Sequence, residues 1–64
     1  MPPDQDSPRD VLMEVTLLGS VARVAAVDSA TGTEVTFQAP ATTARADLQR
    51  LAVAKLAYAL RRRS

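Results

Sequence analysis

Three short runs of alternating side chains, joined by two tight reversals, constrain this chain more than any other feature. From Val11 to Leu18, the residues Val11, Met13, Val15 and Leu17 fall on one face, and Leu12, Glu14, Thr16 and Leu18 on the other. That is the period of two expected of a strand with one apolar face. Gly19-Ser20 follows, a two-residue loop with glycine first, which suits a type II′ hairpin. A second run spans 21–28 and a third 33–39. Between them lies Ser29 to Gly32, where Gly32 can supply the left-handed residue that closes a four-residue loop.

The two loops predict registers that can be tested against each other. A two-residue loop pairs Leu18 with Val21, and hence Leu17 with Ala22, Val15 with Val24 and Met13 with Ala26. A four-residue loop pairs Asp28 with Thr33, and hence Ala26 with Val35 and Val24 with Phe37. Both hairpins then gather their apolar residues on one face, and a slip of one residue in either would put Glu and Thr there instead. Ala22 and Ala26 on the central strand leave a shallow trough on that face.

The remaining chain reads as the element that fills the trough. Alanine is abundant from Ala44 onward and helix propensity is high. The pattern predicts a helix over 43–62, with Thr42 or Thr43 as its N-cap and Asp47 near the first turn. Leu48, Leu51, Ala52, Val53, Leu56, Tyr58, Ala59 and Leu60 form an apolar arc of roughly 220°, wider than one sheet contact needs. The expected fold is α+β: a three-stranded antiparallel meander with one C-terminal helix packed on one face. Residues 1–9, MPPDQDSPR, hold three of the four prolines and no large apolar side chain after Met1. They are expected to be a disordered acidic arm ahead of a single domain over 10–64.

Composition excludes most chemistry. Among 64 residues there is no cysteine and no histidine, so no thiolate nucleophile, no disulfide and no imidazole base or ligand is available. No Gly-rich phosphate loop occurs. The expectation is a chain that is not an enzyme, with no metal, no cofactor and no small-molecule ligand. No apolar leader or run of about 20 apolar residues is present, which leads to the expectation of a cytoplasmic protein with no membrane partner.

The run Val24-x-x-x-Asp28-x-Ala30-Thr31-Gly32-Thr33-Glu34-Val35, then Pro40, then Leu48-x-x-Leu51-Ala52-x-x-Lys55-Leu56-x-Tyr58-x-Leu60 resembles a family of short alphaproteobacterial proteins of unknown function. The likeness covers about two-thirds of the chain, and its motifs are turn and core residues. Members have sometimes carried a serine hydroxymethyltransferase label, which a chain this short, with no cradle for pyridoxal phosphate, cannot support. The resemblance implies a bacterial cytoplasmic protein and assigns no functional residue.

Two surfaces remain as candidates. The sheet face away from the helix carries Leu12, Leu18, Val21 and Val27 around Arg23, and a marginal small domain gains by burying such aliphatics. This face, or the unprotected outer strands, suggests a homodimer or another protein partner. Arg23 would also suit a cross-strand ion pair with Glu14 or Glu34. The second surface is basic. Residues 44–64 hold Arg45, Arg50, Lys55, Arg61, Arg62 and Arg63 against Asp47, a net charge of +5, whereas residues 1–14 sum to −3. Arg61, Arg62 and Arg63 could contact phosphates, with Arg23 as a helper in a nucleic-acid-associated role, although cations at a helix C-terminus also suit its dipole. Lys55 is expected to lay its stem along the apolar arc and carry its charge to water. Tyr58 is expected in the core with its hydroxyl at the rim. Asp28 and Thr31 are expected to bond the loop backbone.

Overall fold

The computed structural model describes residues 10–62. The arm expected at 1–9 and the candidate contact Arg63 lie outside the described residues. Three strands, β1 (Val11–Leu18), β2 (Val21–Asp28) and β3 (Thr33–Pro40), form one antiparallel sheet in the order β1-β2-β3, followed by one helix, α1 (Arg45–Arg62). Both predicted registers hold: Leu18 faces Val21 and Val15 faces Val24 in the first hairpin, and Val24 faces Phe37 and Asp28 faces Thr33 in the second.

The loops show why. Gly19 has φ 62°, and no non-glycine residue among those described has positive φ. Ser20 therefore cannot complete a type I′ turn, and the loop is type II′. Gly32, at φ 76°, takes the left-handed position, and its N–H donates to the Asp28 carbonyl at 2.7 Å.

The strand face made of Ala22, Val24 and Ala26 is closed by Leu48, Ala52 and Leu56 of α1, all buried. The two alanines on β2 let the helix approach, and Leu56, spaced four residues from Ala52, fills the trough. Val11, Met13, Val35 and Phe37 pack around this centre.

Four expectations need correction. The helix starts at Arg45 rather than 43. Thr43 N–H donates to the Pro40 carbonyl in a turn, and the Ala44 carbonyl accepts from Asp47 and Leu48. Ala44 thus holds the capping position, and the threonines are spent in the turn before it. β3 extends one residue further, to Pro40, which faces Val21. Leu17, on the helix side of β1, is 65% exposed, because α1 lies over β3 and β2 and reaches β1 least. Tyr58 is exposed rather than in the core, since it lies on the flank of the helix that overhangs the β3 edge. No described helix is long and apolar enough to cross a membrane.

Candidate interaction surface

The open face of the sheet is built by the register. Read across the strands, its rows are Leu12, Val27 and Glu34; Glu14, Ala25 and Thr36; Thr16, Arg23 and Gln38; and Leu18, Val21 and Pro40. Apolar rows thus bound a polar middle. All five residues singled out from the sequence, Leu12, Leu18, Val21, Arg23 and Val27, stand on this face. They are not equally bare. Leu12 is 68% and Leu18 55% exposed, whereas Val21 and Val27 on the central strand are half-buried by their neighbours. A depression of about 410 Å³ lies over Ala25, ringed by Glu14, Thr16, Leu18, Arg23 and Thr36.

Arg23 is exposed and makes no ion pair among the described residues; the Glu14 or Glu34 bridge expected from the sequence is not formed. Glu14 is a diagonal neighbour, about 7–8 Å away between Cα atoms, and Glu34 faces Val27, four residues along β3 from the Gln38 that stands opposite Arg23.

One observation was not legible as such. Leu12, Leu17 and Leu18, the three most exposed large aliphatics, all belong to β1, on both of its faces. The backbone of β1 compounds this. Ser29 N–H donates to the Asp10 carbonyl at 2.9 Å, so the even residues of β1 are those bonded to β2, and alternation turns the N–H and C=O groups of Val11, Met13, Val15 and Leu17 outward. The other edge differs. Ala41 N–H donates to the Ser20 carbonyl, which by the same alternation turns Glu34, Thr36, Gln38 and Pro40 outward on β3. That edge is polar and ends in a residue without an N–H, two common ways of discouraging further pairing.

The basic helix end is a separate region. Arg61 and Arg62 are exposed. Arg62 Nη1 donates to the Tyr58 hydroxyl at 3.0 Å and its guanidinium lies 5.6 Å from that ring's centre. The sheet stands between these residues and Arg23, so one flat polyanion surface cannot meet both. Lys55 reaches over Phe37, with Nζ 5.5 Å from the ring centre, an attraction to the ring face that its spacing in the sequence did not announce. Lys55, Tyr58, Leu51 and Val35 line an open groove of about 500 Å³ between α1 and β3.

Asp28 is 2% exposed. Its Oδ2 accepts from the Thr31 hydroxyl at 2.8 Å, and its Oδ1 has no partner among the described residues. The side chain thus bonds a loop hydroxyl, not the loop backbone as expected; the backbone contacts go to the Asp28 carbonyl, which accepts from Thr31 and Gly32. No group of three or more Asp, Glu, His or Cys side chains among the described residues could hold a metal ion.

A family model described as "Domain of unknown function (DUF6898)" matches residues 8–63, and the chain belongs to that family. No curated protein and no solved structure matches it.

Proposed function

We propose that this member of a family with no assigned activity is a small non-enzymatic module that acts by self-association through β1 and the open sheet face. The exposure of Leu12, Leu17 and Leu18 on one strand carries the reading. Two bare leucines at the ends of the open face of β1 and a third on its helix side concentrate exposed apolar surface on a single edge strand, and such surface marks contact sites. Association also stabilises a small domain by mass action, because only the folded state binds. The absence of histidine and cysteine from the sequence supports a role without covalent or acid–base chemistry.

Light scattering after gel filtration tests this. Between about 10 µM and about 1 mM the mass should climb from one chain toward two, as for a contact at the small end of specific interfaces. Leu18→Lys places a charge at an exposed position and should hold the chain at one copy without unfolding it. A mass fixed at 6.8 kDa throughout that range overturns the proposal.

A further inference from the structure

Resting on that reading, we infer that the occupant of the β1 edge is a second copy of this chain, paired antiparallel with Val15 against Val15 on a two-fold axis, giving one six-stranded sheet. Three observations lead there. The outward backbone groups of Val11, Met13, Val15 and Leu17 have no partner strand among the described residues. The edge carries no proline, lysine or bulge, so Glu14 is its one guard against pairing among the described residues. Leu17 is bare on the helix side, where packing of two open faces would leave it uncovered and a neighbouring strand would not.

The register follows from charge and parity. Only odd residues present outward groups, so each hydrogen-bonded pair across the axis must join odd to odd. Two such registers engage seven residues of each strand. One pairs Met13 with Val15 of the second copy and lays Glu14 against Glu14, a like-charge contact at about 4.5 Å between Cα atoms. The other pairs Val15 with Val15. It sets Met13 beside Leu17 on the helix side, Leu12 beside Leu18 on the open side, and Glu14 beside Thr16. Every exposed leucine of β1 then gains an apolar neighbour, and the carboxylate meets a hydroxyl. Because α1 sits over β2 and β3, the two helices stand clear of the axis and do not collide.

Because the sequence holds no cysteine, the pairing can be read by engineered disulfides. Glu14 and Thr16 are exposed, so Glu14→Cys and Thr16→Cys leave the core intact. Equal amounts of the two variants, equilibrated with oxidised glutathione at a concentration where the parent is dimeric, should yield mainly the mixed disulfide dimer by mass. Val15→Cys alone should cross-link to itself, its Cα atoms lying about 5.5 Å apart across the axis. A Glu14→Cys variant that cross-links to itself as fully as the mixture overturns the register. A parent that dimerises while the mixture gives no cross-link overturns edge pairing and leaves self-association standing. A parent that never dimerises removes both.

Discussion

Truncating Leu56 to alanine tests where the helix sits. Leu56 has no exposed surface and lies against Ala26 and Ala52, which have none either. The truncation removes three buried carbons, worth about 2.4 kcal/mol of transfer free energy. A cavity cost adds to this, and the two alanines have no side chain that could swing into the space. The expected loss is therefore about 3–4 kcal/mol, the upper half of the range seen for buried leucines. A domain of this size holds roughly 3–8 kcal/mol in all, so the variant should be barely folded. Leu17→Ala is the paired control. At 65% exposure, Leu17 has little more than a third of its surface to lose, and its truncation should cost under about 1 kcal/mol. Urea unfolding followed by circular dichroism, at a dilution that removes any self-association, separates the two. With a slope of about 1 kcal/mol per molar, Leu56→Ala should lose roughly 3 M of midpoint or show no folded baseline, and Leu17→Ala less than about 1 M. Equal losses would refute the placement of α1 over β2 and β3.

Gly19→Ala and Gly32→Ala meet no atom within 4 Å at the added carbon, so their cost is purely conformational, about 1–2 kcal/mol each at these positive φ values; a urea midpoint unmoved by either would mean the turn has another geometry in solution. Thr31→Val removes the hydroxyl that donates to Asp28 Oδ2 in a carboxylate that is only 2% exposed, so it should cost about 1–3 kcal/mol, and an unmoved urea midpoint would mean that another donor reaches Asp28. Lys55→Gln gives up the contact with the Phe37 ring and should cost at most about 1 kcal/mol; a larger thermal shift would show that the lysine stem also covers core.

The sheet was legible because its information is local and redundant. Glycine at 19 and at 32 selects a loop type, the loop type selects a register, and each register is checked by where Val15, Val24 and Phe37 then fall. Helix placement is not local. The arc that includes Leu51 and Tyr58 reads as one apolar stripe in the sequence, yet only Leu48, Ala52 and Leu56 are buried, because the sheet meets one narrow strip of the helix. The caps misled for a related reason: Thr42 and Thr43 are good N-cap residues, but the turn closed by Thr43 and Pro40 takes them before the helix begins. Of the candidate surface, the open-face residues follow directly from the alternation. The bareness of Leu17 does not, since it depends on which two strands the helix chooses.

That choice has a geometric origin. A helix is about 10 Å across, and three strands spaced about 4.8 Å apart present a wider floor once their side chains are counted. One helix therefore roofs two strands well and leaves the third partly open. Here the chain passes from β3 into α1 through Ala41 to Ala44, and the turn in which Thr43 N–H donates to the Pro40 carbonyl folds that link back and starts the helix beside β3. The strand left partly open is then the first. A chain folding alone would be expected to make that strand polar on its exposed parts. This one places Leu12, Leu17 and Leu18 there and keeps Glu34, Thr36, Gln38 and Pro40 for the opposite edge. This asymmetry between the two edges is the ground for the proposed pairing through β1. It should also appear in the solution behaviour: exchanging Leu12 and Leu17 for lysine should abolish association while leaving the urea midpoint of the dilute chain within about 1 M of the parent, because both residues are about two-thirds exposed. Association that survives both lysines would place the contact elsewhere than β1.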